Sequence, residues 1–124
     1  MKNIVIAAVS AFLFSSPALA QQTLLGKYTG TFVLPGGSAR GLTLEILSVE
    51  GDIVKGKAFR ALIRERDGCH GEYLVEGTLK SDILDLRAIE KGGPAGDCPM
   101  RLRLTVEGNK LVGTMGKLEA RLSR

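Results

Sequence analysis

The sequence predicts an all-β domain: an antiparallel up-and-down eight-stranded β-barrel with one disulfide, with a β-sandwich as the alternative. Three observations predict it. Apolar and polar residues alternate with a period of two along most of the chain, as strands with one buried face require. Clusters of Gly, Pro, Asn, Asp and Ser interrupt the alternation at short intervals, and no window sustains a helical period. The only two cysteines, Cys69 and Cys98, fall in connections that a meander places at the same end of a barrel.

Residues 1–20 read as a secretory signal peptide. Lys2 supplies the positive charge, Ile4 to Phe14 the apolar run, and Ala18-Leu19-Ala20 the small-x-small cleavage pattern. The segment is too short and wrongly flanked for a stable span, so the mature chain is not expected to span a membrane. Residues 21–124 then form a single domain with a modest core, periplasmic or secreted. The 17 basic residues less Lys2 stand against 13 acidic ones, interspersed along the strands. Such a mild excess favours solubility and weak attraction to anionic surfaces. Two cysteines in an exported chain imply the Cys69–Cys98 bridge, which closes a loop worth roughly 3–4 kcal/mol by the chain-entropy argument.

In chain order, the segment Gly26 to Leu34 is the first strand, with Tyr28, Phe32 and Leu34 on one side. After Pro35-Gly36-Gly37-Ser38, a loop by its punctuation, Leu42, Leu44 and Ile46 face inward. A tight turn at Glu50-Gly51-Asp52 leads to a third strand from about Ile53 to Leu62. Its phase is ambiguous: Val54, Gly56 and Ala58 share one face, while Ile53 and Phe59 share the other with Lys55 and Lys57. A charged connection, Arg64 to Gly68, reaches Cys69 and His70. Tyr73, Val75, Gly77 and Leu79, then Leu84, Leu86 and Ala88, form a hairpin turning at Lys80-Ser81-Asp82. Glu90 to Pro99 is a long Gly- and Pro-rich loop. Leu102, Leu104 and Val106 precede the turn Glu107-Gly108-Asn109-Lys110, whose glycine and asparagine tolerate positive φ. Leu111, Gly113 and Met115, then Leu118, Ala120 and Leu122, complete the set.

Loop lengths divide the barrel into two ends. The connections near Gly51, Ser81 and Gly108 are short, whereas those carrying the cysteines are long. One end is therefore expected to be tightly closed and the other to carry stapled, elaborated loops, where sites concentrate.

The residues argue against catalysis. His70 is the only histidine, it adjoins a cysteine expected to be oxidised, and no serine lies in a Gly-x-Ser-x-Gly turn. No metal site is expected, because Cys69, His70 and Cys98 fall short of a ligand set once the cysteines pair. Phosphate-loop, dinucleotide and calcium-loop patterns are absent from the sequence, and no cofactor is expected. With only Tyr28, Phe32, Phe59 and Tyr73 as aromatics after residue 20, there is no stacking platform for nucleic acid. An outer-membrane barrel needs an apolar exterior, whereas Glu45, Glu76, Arg87, Arg103 and Arg121 occupy the polar faces.

Gly26-Lys27-Tyr28 opening the first strand resembles the start of lipocalin- and avidin-type barrels, in which a Gly-x-Trp motif plugs the base. Tyrosine stands here in place of tryptophan, which argues against biotin binding in the avidin manner. The plan of signal peptide, eight strands and one disulfide also resembles small periplasmic barrels that inhibit lysozymes or secreted proteases. Both are likenesses of fold.

The expected function is a non-catalytic binding module, inhibiting a hydrolase or another envelope protein through the loops near the disulfide. Its candidate residues are Arg40, Arg64, Arg66, His70, Lys91 and Arg101, with Arg60 counted among the basic loop residues gathered at that end. One alternative is a carrier of a small apolar ligand inside the barrel, in a cavity lined by Tyr28, Gly56, Tyr73 and Gly77. The other is an envelope structural protein.

Overall fold

The computed structural model describes residues 24–89 and 98–124. The expected signal peptide and most of the Glu90–Pro99 loop, Lys91 included, lie outside the described residues. Eight strands follow in order: β1 (Gly26–Val33), β2 (Ala39–Glu50), β3 (Ile53–Arg60), β4 (Gly71–Lys80), β5 (Ile83–Ala88), β6 (Arg101–Glu107), β7 (Lys110–Met115) and β8 (Leu118–Ser123). Each pairs antiparallel with the next, and β8 returns to β1, so the sheet is a closed up-and-down barrel rather than a sandwich.

The inward face is the one the alternation marks. Tyr28, Phe32, Leu42, Leu44, Val54, Tyr73, Val75, Leu84, Leu86, Leu102, Leu104 and Leu111 are all buried. The ambiguity in β3 resolves by register: Ala58 pairs with Leu44 and Gly56 with Ile46, while Ile53 and Phe59 stay about half exposed on the outer face. A bulge at Leu47 shifts the register between Ile46 and Ser48 and turns Leu47 outward. The strand ends at Arg60, short of the expected Leu62.

Closure of so small a barrel requires sharp coiling, and interior glycines supply it. A Cβ on Gly77 would sit 1.7 Å from the Asp85 carbonyl oxygen, and one on Gly56 2.3 Å from that of Glu45. Neighbouring backbone therefore occupies the space a side chain would fill.

The two ends differ as their loops do. At the closed end the β4–β5 turn places Ser81 and Asp82 at φ of 51° and 64°, the left-handed pair that matches hairpin twist. Nearby, the Tyr28 hydroxyl donates to the Leu24 carbonyl at 2.9 Å. The Arg124 guanidinium lies 4.7 Å from the centre of the Tyr28 ring and donates to the Leu25 carbonyl at 2.9 Å. The opposite end carries the β1–β2, β3–β4, β5–β6 and β7–β8 connections, with the disulfide joining the second and third of these.

Candidate functional site

The stapled end is organised by a buried ion pair that local sequence pattern does not reveal. Arg60 continues the inward parity of Val54, Gly56 and Ala58, so its side chain enters the barrel mouth and is only 6% exposed. The β3–β4 connection folds back over it and delivers Asp67. Arg60 Nη1 and Nη2 donate to the two Asp67 oxygens at 2.8 and 2.9 Å, a bidentate fork. The same carboxylate accepts the Ile63 amide at 2.9 Å and the Cys69 amide at 3.0 Å. The Arg60 hydrogen bonds, with the two amides, hold the Asp67 carboxyl far below the usual carboxylate range, against the opposing effect of its burial. Asp67 is therefore an anion that shapes the loop.

Two further ties fix this connection. The Tyr73 hydroxyl donates to the Cys69 carbonyl. The Cys69–Cys98 disulfide, with Cα atoms 5.5 Å apart, fastens the loop to the segment entering β6. That segment is held in turn, because the Ala88 amide donates to the Met100 carbonyl at 3.0 Å and the Gly116 amide to the Arg101 carbonyl at 2.8 Å.

These ties frame a recess of about 730 Å³ at the barrel mouth. Ile63, Ala88, Pro99, Met100 and Met115 give it an apolar lining; Arg60, Arg87 and Arg101 supply its charge. The three cations differ in what they already bind. Arg60 is spent on Asp67. Arg101 donates to both Asp85 oxygens, at 3.2 and 2.9 Å, and Arg103 shares the same carboxylate at 3.2 Å. The Arg101 hydrogen bond, helped by the charges of Arg101, Arg103 and Arg87 and opposed by burial, lowers the Asp85 pKa from its ordinary value. Arg87 stands directly across from Arg101 in the sheet and makes no ion pair or side-chain hydrogen bond among the described residues. One aspartate thus serves three arginines on this wall.

Of the loop residues singled out from sequence, Arg101 lines the recess. Arg64 and Arg66 are exposed on the β3–β4 connection and point no group into it, and Arg40, at the start of β2, donates to its neighbour's carbonyl at 3.3 Å. His70 is exposed, its Nδ1 donating to the Asp67 carbonyl at 2.6 Å. Arg60 is no loop residue, as its basic type suggested, but a buried strand residue. The four interior residues Tyr28, Gly56, Tyr73 and Gly77 do not line the recess either. Tyr28 sits at the base and Tyr73 at the mouth, while the two glycines abut neighbouring strands. Sequence reasoning missed Ile63, Arg87 and Met100 as site residues. A signal existed for Met100, which extends the inward parity of Leu102 and Leu104.

Among the described residues, no three His, Cys, Asp or Glu side chains stand close enough to hold a metal ion. No helix among them is long and apolar enough to cross a membrane.

No family model matches the chain, and no curated protein matches it. A solved structure described as a redesigned beta barrel is similar to it, with a TM-score of 0.56 and 18% identity over 85% of this chain and 94% of that one. The likeness is one of fold.

Proposed function

We propose that the protein is a non-catalytic binding module of the periplasm or the exterior of the cell, and that its contact surface is the stapled end. The observation that carries the reading is the recess itself. An apolar hollow within the usual size range of ligand sites, with a few charged groups at its edge, is how binding sites are built. It is framed by a disulfide and a four-times hydrogen-bonded carboxylate, which limits what binding costs in lost motion. The disulfide also supports an oxidising compartment. Inhibition of a hydrolase is the form this takes if a partner's loop enters the recess. The lipocalin- or avidin-type relationship draws support only from the base, where Tyr28 is buried under Leu24 as the opening motif implies.

A second reading, a carrier of a small ligand, is favoured by the same recess in place of the barrel interior, since Gly56 and Gly77 face backbone rather than open space. Hydroxyl-radical footprinting of the oxidised mature chain in envelope extract tests the main reading. Protection is expected at Ile63, Pro99 and Met100. Protection confined to the closed end, around Leu47 and Ile53, both exposed, would overturn it.

A further inference from the structure

We infer that the recess at the barrel mouth is a binding site for an aliphatic carboxylate, with the chain against Ile63, Ala88, Met100 and Met115 and the head group on Arg87. The inference rests on reading the stapled end as the binding end and names what that end would take. Among the described residues the walls contain no aromatic ring, so none of them stacks on a sugar or a planar ligand. Two methionines offer unbranched, polarizable surface that adapts to a flexible chain.

Among the described residues that line the recess, the charged side chains are all arginines. Arg60 and Asp67 neutralise each other at the inner wall, so neither is available to a ligand. On the outer wall Arg101 and Arg103 both bind Asp85, and Arg87, opposite Arg101, makes no ion pair or side-chain hydrogen bond among the described residues, so one carboxylate there faces three arginines. Like charges directly across a sheet are unfavourable. An anion seated between Arg87 and Arg101 relieves that repulsion, and the planar guanidinium matches a carboxylate in two hydrogen bonds. A cation at the same place would meet the arginines without compensation, and a neutral head group would leave Arg87 as it is.

The test is an amide NMR titration of the oxidised mature chain with octanoate, 1-octanol and octylammonium, each below its aggregation limit. Octanoate is expected to shift the amides of Ile63, Ala88, Met100, Arg101 and Gly116 saturably and to leave Gly51 and Gly108, at the closed end, in place. 1-Octanol should bind the same amides several-fold more weakly, and octylammonium more weakly still. Arg87→Gln, a change at an exposed position, should bring octanoate down to the level of the alcohol, while Arg64→Gln should change nothing.

Equal binding of octanoate and 1-octanol would overturn the inference, as would an Arg87→Gln variant that binds octanoate like the parent. So would octanoate shifts centred on Phe59 and Leu74 of the outer face. If the recess responds to none of the three probes, the inference falls alone provided a protein partner still protects Ile63 and Met100. If those residues are never protected, the binding-module reading falls with it.

Discussion

Replacing Asp67 by asparagine removes one charge and almost no volume, and its cost can be worked from the contacts. The carboxylate accepts four hydrogen bonds, two from Arg60 and one each from the Ile63 and Cys69 amides. Asparagine keeps one acceptor oxygen and turns an NH₂ toward groups that are themselves donors. Arg60, 6% exposed, is left charged without a counter-ion. Breaking a buried pair from one side costs about 3–5 kcal/mol, so urea unfolding at pH 7 with the disulfide intact should show a loss of that size.

The pH dependence has a definite sign. The folded-state pKa of Asp67 is depressed, so its contribution is fully present above the ordinary carboxylate value of about 3.9 and is lost as pH falls through the folded value. The gap between parent and Asp67→Asn should therefore be constant near neutrality and narrow in strong acid. The double variant Arg60→Met/Asp67→Ala should cost less than the sum of Arg60→Met and Asp67→Ala, because no charge remains buried alone. A loss under about 1 kcal/mol for Asp67→Asn, of the kind exposed pairs give, would refute the reasoning, and so would strict additivity in the cycle.

Removing the bridge by Cys69→Ala/Cys98→Ala, which opens a 29-residue separation, should lower unfolding free energy by roughly 3–4 kcal/mol as read by urea denaturation. Gly77→Ala should cost about 1–3 kcal/mol and weaken amide-exchange protection along β4 and β5, because its Cβ is directed at the Asp85 carbonyl. Asp82→Gly should raise the melting temperature, since a side chain is released from φ of 64° and left-handed backbone costs about 1–2 kcal/mol for L residues. Phe59→Thr, on the outer face, should leave the melting temperature within about 2 °C, the range of a surface change under 0.5 kcal/mol.

The architecture was legible because a strand's period is two and its signal is strict. Leu42, Leu44 and Ile46, or Leu102 and Leu104, admit one inward face, and the end on which the cysteines fall follows from counting connections. In β3 that signal was divided between Val54, Gly56 and Ala58 on one side and Ile53 and Phe59 on the other, and only pairing with β2 decides. The site was less legible. Arginine is rarely buried, so Arg60 read as a loop charge; its burial depends on Asp67 returning across a connection whose path no periodicity encodes. Arg87 sat on the polar side of an alternating strand with nothing to distinguish it. Its place beside the recess comes from β5 ending alongside Met100, whose carbonyl accepts the Ala88 amide, a fact of tertiary path.

The seam between β1 and β8 has a consequence in time. It joins the first and last strands through four aligned pairs, Thr29 to Phe32 against Ser123 to Ala120, where β1 and β2 share eight. A chain made from its amino end has seven strands before it has any means of closing. Until β8 is made, β1 and β7 are open borders whose unpaired amides and carbonyls can accept a foreign strand. The pairing of β8, secured by Arg124 with its grip on the Leu25 carbonyl, converts an aggregation-prone ribbon into a body without edges.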